Sequence, residues 1–486
     1  MNQQIRRVFA VTVVLFAAIA IASTVIQFFL ADSLTADARN SRRYLQAAQR
    51  HRGSIIVADK AIAFSTQLED SQQYERQYTQ GELYAAVTGY FSALNLTATG
   101  IEEAENDTLE GEGSAFFFQS IANLFTGTTQ TGGGVVLTLD PDIQQAAARA
   151  LGDRKGAAVA IDVDTGAILA LYSSPSYDPN TLASLDTEEA NETYTKLLED
   201  EDDPLINRAI AGSLYPPGST FKILTSIALL ENGVSPDDLM ESPVSVTLPN
   251  TATKLSNIES STCGNGKPSL QEAFARSCNT TFAIASEELT NEDIADVAKR
   301  FGFGEILEIP LTATASSFPQ DTDAAQLAMS AIGQFDVQVT PLQMALVAAG
   351  IANNGVVMKP YLVNSLVNAD NEVQSTTKPK ELSTAVSEDI AEQITEMMVD
   401  VVNQPYGTGR AAAVSGAQIA AKTGTAEWGS NGYTLAWTVA FGDVNADASE
   451  RIAVSVVVEG DEDDPAPHGG IVAAPIASAM LKAGLQ

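Results

Sequence analysis

Three short stretches of the chain carry side chains that could make and break a covalent bond. Tyr215–Lys222 reads Tyr-Pro-Pro-Gly-Ser-Thr-Phe-Lys. Its prolines and glycine interrupt whatever precedes Ser219, and Ser219–Glu231 is apolar enough for a buried helix. Ser219 therefore falls at a helix start, and Lys222 lies one turn along on the same face, where its amine can reach the serine hydroxyl. A serine beside an amine at the positive end of a helix is a nucleophile with its own base. The same residues also have a plain reading. Serine at a helix start is commonly an N-cap, and Ser375-Thr-Thr-Lys378 repeats the spacing in a polar, loop-like setting.

The second stretch, Arg276-Ser-Cys-Asn279, follows the helix-like run Ser269–Ala275, which puts Ser277 and Asn279 in a turn between helices. The third, Lys422-Thr-Gly-Thr425, closes an apolar run that reads as a strand, where Gly424 lets a ligand or another backbone approach. Each is also ordinary turn chemistry. With only His51 and His468 in the chain and no Gly-x-Ser-x-Gly elbow, a Ser-His-Asp arrangement is not supported, so the base for a serine would have to be a lysine. No Gly-x-x-x-x-Gly precedes Lys422, so neither is a phosphate loop.

The composition narrows the partners. The 486 residues include 61 acidic and 27 basic side chains, a formal charge of -34, which argues against nucleic acid or an anionic membrane surface as partner. The acidic runs Glu199–Asp203 and Asp461–Asp464 lack calcium-loop spacing, and Cys263 and Cys278 have no zinc spacing, so no metal or other cofactor is expected.

Several elements must position these groups. Val8–Leu30 is uncharged and apolar, about 34 Å long as a helix, and reads as a retained signal anchor. Arg6 and Arg7 precede it and Arg39, Arg42 and Arg43 follow it, so charge counting leaves its orientation open. Residues 31–134 mix helical stretches with short strands such as Ser54–Ala58, and the Gly/Thr-rich Thr126–Gly134 reads as a linker. Asp140-Pro141 opens a capped helix through Leu151. Ala157–Asp162 and Ala167–Tyr172 flank a tight turn at Asp164-Thr-Gly166. Ile419–Thr425, Leu435–Phe441 and Ile452–Glu459 are further strands, with Pro341–Ala352 and Val472–Leu485 as helices. Early strands pairing with late ones around a helical middle predict an α/β sandwich, five antiparallel strands flanked by helices.

Ser-x-x-Lys, Ser-x-Asn and Lys-Thr-Gly in that order mark the serine acyltransferases that react with penicillin, and here the chain resembles the class B penicillin-binding proteins. The resemblance extends over Asn207-Arg-Ala, Ser173–Asn180, Gly333-Gln334, Thr340–Gln343, Lys422–Glu427 and Trp437, covering roughly Val135 to the C-terminus. Arg52-Gly-Ser-Ile55 and Tyr84–Ser92 resemble the pedestal of the actinobacterial, division-associated group called penicillin-binding protein A. The implied layout is a cytoplasmic tail at 1–7, an anchor at 8–30, an N-terminal α+β pedestal at 31–134 and a transpeptidase domain at 135–486.

The resemblance implies a peptidoglycan D,D-transpeptidase that cross-links stem peptides ending in D-Ala-D-Ala and is acylated by β-lactams. Ser219 is then the nucleophile, Lys222 the base, Ser277 the proton relay, and Asn279 a ligand for the substrate amide. Lys422, Thr423, Gly424 and Thr425 hold the terminal carboxylate, and the backbone N–H groups of Ser219 and Thr425 form the oxyanion hole. Residues beyond about Ala31 would be extracytoplasmic, an oxidising setting in which Cys263 and Cys278 could pair and hold Ser277 in place. A glycosyltransferase or other division protein would be a partner. A D,D-carboxypeptidase or β-lactamase shares these motifs, and a non-catalytic division scaffold is the alternative outside the enzymes.

Overall fold

The computed structural model describes residues 2–26, 47–69, 71–112, 131–212, 214–257, 261–429, 432–442 and 451–485. The N-terminal helix runs Asn2–Thr24, starting before the apolar run does, and stands clear of the rest of the protein with its side chains exposed. Its span Gln3–Thr24 is long and apolar enough to cross a membrane; Leu30 and the three arginines after it lie outside the described residues.

The C-terminal sheet has five strands in the order Ile419–Trp428, Tyr433–Gly442, Ile452–Glu459, Gly156–Asp162 and Ile168–Ser174, every neighbour antiparallel. The early hairpin and the late meander meet through Val457↔Ala157 and Val454↔Ala160. Because successive strand residues point to opposite faces, the alternation splits the core in two. Ala158, Ala160, Ala421, Ala436 and Val456 pack with Ile143 and Met480, from the flanking helices Pro141–Leu151 and Ala473–Gly484. Ala157, Val159, Ala420, Leu435, Trp437 and Val457 face the helices Lys222–Glu231 and Pro341–Ala352. Pro341–Ala352 is buried nearly all round, as its uniformly apolar sequence requires, and it is started by Pro341 and by Thr340, whose hydroxyl accepts from the Gln343 N–H.

A second sheet departs from the linear domain reading. Its six strands run in the order Val373–Thr376, Val363–Val367, Gly134–Leu137, Ile55–Val57, Lys60–Gln67 and Tyr74–Tyr78. The strand expected from Val135 is present and takes in the last linker residue: Gly134–Leu137 pairs in parallel with Ile55–Val57 and antiparallel with Val363–Val367, and Gly133 donates to the Thr108 carbonyl. Residues 126–130 of that linker lie outside the described residues. A glycine read as flexible in isolation serves here to let backbones approach, because a Cβ on Gly132 would meet the Leu109 carbonyl oxygen at 1.8 Å.

The pedestal is tied together by Glu102, which is buried and receives Arg52 Nε and Arg76 Nε, each at 2.6 Å, and the Tyr78 hydroxyl at 3.1 Å. Arg52 also stacks on Phe91 and donates to Asn106. Burial alone would push the Glu102 carboxyl up, but the two guanidiniums outweigh it and hold it below the usual value of 4.5. Its contribution is thus present above the unfolded value and lost as pH falls through the lowered one. Glu102→Ala leaves buried Arg76 without an anion and Arg52 with only Glu110 at 3.4 Å, and is expected to cost about 3–5 kcal/mol, readable as a lower urea midpoint; an unchanged midpoint would refute this account.

Candidate active site

Ser219 sits in a 3-10 turn, Gly218–Phe221, that runs straight into the helix Lys222–Glu231. Neither helix start has a side-chain cap, so Ser219 is not an N-cap, and no side-chain hydrogen bond among the described residues engages its hydroxyl. The decoy separates itself: Ser375 lies on an exposed edge strand of the pedestal sheet and Lys378 is exposed.

The turn is held from both sides. Tyr215 exchanges backbone hydrogen bonds with Val339, Gly218 N–H donates to the Gly333 carbonyl, and Trp437 Nε1 donates to the Pro216 carbonyl. The Tyr215 hydroxyl donates to Glu459 Oε1 at 2.7 Å, and Arg208 Nε donates to the same oxygen at 3.2 Å, all three side chains buried. Glu459 ends the strand beside the one carrying Trp437, so this triad locks the serine turn to the sheet. Gly218 has φ 52°, and a Cβ there would lie 2.7 Å from the Thr425 carbonyl oxygen. A Cβ on Gly424 would meet the Pro217 carbonyl oxygen at 2.9 Å. Glycine at both positions is what lets strand and turn lie side by side.

Lys-Thr-Gly does not end its strand, as the sequence suggested, but sits in the middle of ten residues, Ile419–Trp428, at the sheet's edge. The apolar run stops at Lys422, which is itself buried, because the strand from there on borders a cleft as well as the core. That cleft, about 440 Å³, is lined by Ser219, Ser277, Asn279, Thr423, Gly424 and Thr425. It also takes in residues the sequence reading missed: Thr408, Glu427 and the turn 468–471. Thr408 and Thr423 share a hydroxyl hydrogen bond of 2.6 Å. Tyr406-Gly-Thr-Gly409 was a visible turn signal, but nothing in the chain order pointed it at Thr423.

Ser277 is at the centre of the buried groups. Lys422 Nζ donates to its hydroxyl at 2.9 Å, and Lys222 Nζ donates to its carbonyl at 2.9 Å, to Asn279 Oδ1 at 2.8 Å and, at 3.5 Å, to the Ser277 hydroxyl. The expected reach of Lys222 to Ser219 is not among its hydrogen bonds within the described residues, which go instead to the Ser-x-Asn turn. Ser277 has φ 61°, an uncommon conformation for a residue with a Cβ. It is held there between the helices Leu270–Ala275 and Asn279–Ala285, and by the neighbouring disulfide Cys263–Cys278, Cα–Cα 5.9 Å. The bridge closes a separation of 15 residues, worth about 3 kcal/mol on a chain-entropy estimate. A thiol count on denatured, unreduced protein is expected to return none; two thiols would remove the bridge.

Both lysines are fully buried. Burial brings Lys422 down to about 7. Burial first, and then the charge of Lys422, bring Lys222 well below the usual lysine value. The arrangement brings two serine hydroxyls and two buried lysine amines of lowered pKa together beside one cleft, groups of the kinds that acyl transfer uses. Among the described residues no cluster of His, Cys, Asp and Glu could hold a metal.

Residues 156–482 match the penicillin binding protein transpeptidase domain, and residues 52–135 match the penicillin binding protein A dimerisation domain. The chain is 41% identical to the peptidoglycan D,D-transpeptidase PbpA of Mycolicibacterium smegmatis, across all of this chain and 99% of that protein. It is 38% identical to the PbpA of Mycobacterium tuberculosis, again over all of this chain and 99% of the other. Solved structures of penicillin-binding protein A from M. tuberculosis superpose on it: the ceftriaxone acyl-enzyme complex with TM-score 0.85, 38% identity and 91% of this chain covered against 100% of that one, and the penicillin G acyl-enzyme complex with TM-score 0.83, 39% identity and coverages of 90% and 100%. The chain belongs to the penicillin-binding protein transpeptidase family.

Proposed function

We propose that the chain is a serine-type peptidoglycan D,D-transpeptidase that β-lactams acylate, anchored in the cytoplasmic membrane by its N-terminal helix with the rest outside. The observation that carries the chemistry is the chain of contacts Lys222–Ser277–Lys422 beside an uncapped, unbonded Ser219 hydroxyl. Ser219 Oγ attacks the carbonyl between the terminal D-alanines and its proton passes to neutral Lys222. The C–N bond then breaks, and the leaving D-alanine amine takes a proton through Ser277. Attack on the resulting ester by an amine of a neighbouring stem peptide, with Lys222 again receiving the proton, makes the cross-link and frees Ser219.

The developing oxyanion is held by the Ser219 and Thr425 N–H groups. The N–H and C=O of one strand residue point the same way, and the Thr425 carbonyl faces Gly218, so its N–H faces the serine turn as well. One such donor is worth about 3–4 kcal/mol. Protonated Lys422 and the hydroxyls of Thr423 and Thr425 hold the terminal carboxylate, and Asn279 both fixes Lys222 and receives the substrate amide. The layout is a short tail, the anchor, a pedestal through about residue 134 and the transpeptidase domain beyond, and a glycosyltransferase supplies the nascent strands.

The test is to give the chain freed of its N-terminal helix nascent uncross-linked peptidoglycan. Cross-linked dimers are expected. Release of D-alanine with no dimers would make the chain a carboxypeptidase, and steady turnover of a chromogenic β-lactam would make it a β-lactamase; either outcome overturns the proposal.

A further inference from the structure

Along the edge strand, Thr423, Thr425 and Glu427 alternate onto the cleft side, and all three line the cleft. Glu427 is exposed and makes no ion pair or side-chain hydrogen bond among the described residues. It is the one carboxylate in that lining, and its partner across the sheet is the neutral Thr434. Two residues of strand place it about 7 Å beyond Thr425.

Given the transpeptidase reading on which this inference rests, a donor peptide laid along the strand has its terminal carboxylate at Thr423 and Thr425 and its scissile carbonyl at Ser219. The residue before the two D-alanines is then about two Cα steps, or 7–8 Å, from the carboxylate, level with Glu427. Cross-linking consumes an amine on the acceptor stem. Donor and acceptor are copies of one peptide, so the donor carries that amine too. We propose that Glu427 forms a subsite for the free amine of the donor stem and selects donors whose amine is unmodified. The pairing is solvent-exposed, so its effect is about threefold to fivefold.

Acylation of the chain is measured with two thioester donors ending in a D-alanyl group, one with a free side-chain amine on the preceding residue and one with that amine acetylated. The unaltered chain should prefer the free amine by about threefold to fivefold. Glu427→Gln should remove the preference, and Glu427→Lys should invert it, with both variants still forming the penicillin G adduct. Equal rates for the two donors in the unaltered chain, or a preference that survives Glu427→Gln, would overturn the subsite while leaving the transpeptidase reading intact. Failure of penicillin G to acylate the unaltered chain would instead overturn the reading beneath it.

Discussion

Ser219→Ala is expected to eliminate the covalent penicillin adduct, seen as an intact-mass shift in the unaltered chain, and to lower acyl transfer about 10⁶-fold, or about 8 kcal/mol of barrier. The loss is this large because the nucleophile is removed while other cleft hydroxyls are committed elsewhere: that of Ser277 is held by Lys422, and Thr423 is engaged by Thr408. Among the described residues the Ser219 hydroxyl caps no helix and bonds to no neighbour, so its removal should leave the thermal midpoint within about a degree; a ΔΔG under 0.5 kcal/mol is usual where no structural interaction is lost. An adduct that persists on Ser219→Ala and maps elsewhere would refute the assignment. Full support of growth and cross-linking by the variant would favour the scaffold role.

The second large effect concerns the amine. Lys222→Met keeps the volume and the stem packing but removes the proton acceptor, and acylation should fall about 10³- to 10⁴-fold, or about 4–5 kcal/mol. The pH profile of acylation gives an independent check. Lys222 acts only when neutral, so the rate rises with pH through its lowered pKa. Lys422 holds a carboxylate only when charged, so the rate falls above about 7, where it loses its proton. The result is a bell. Lys422→Met removes the alkaline limb, and by taking a positive charge away from Lys222 it raises that amine's pKa and moves the acid limb upward. An acid limb that does not move would show that burial alone sets Lys222. A profile flat from pH 5 to 9 would remove lysine as the base.

Much of the fold was legible because local rules agreed with the tertiary result. Asp140 and Pro141 start their helix as the sequence directs, Asp140 Oδ1 accepting from the Asp142 and Ile143 N–H groups. The Asp164-Thr-Gly166 hairpin and the late strands also stand where alternation and turn residues put them. The errors lie where distant segments supply the partner. Thr131–Gly134 looked flexible because glycine is flexible in isolation, and it is a strand margin because Ile55 and Val363–Val367 flank it. Lys-Thr-Gly looked like a strand end because apolar periodicity stops at a lysine, and the strand continues because Tyr433–Gly442 pairs along its whole length. Thr408 stood in a legible turn and Glu427 at the end of a legible motif, but nothing local placed either on the cleft, since facing a cleft is a property of the sheet edge and not of the residues.

The sequence by itself determined the chemical inventory: a serine and lysine one turn apart, a second serine with an asparagine, a second lysine on a strand, and histidines too few to serve as base. It determined this because side-chain type and short-range spacing are local quantities. Which of these groups meet was decided only by the tertiary structure. Residues 219, 277 and 422 converge because a 3-10 turn, a strained turn between helices and a sheet edge are packed against one another without a Cβ at 218 or 424. The burial that pulls both lysines below their usual values comes from that same packing. In water, each would remain an ordinary cation.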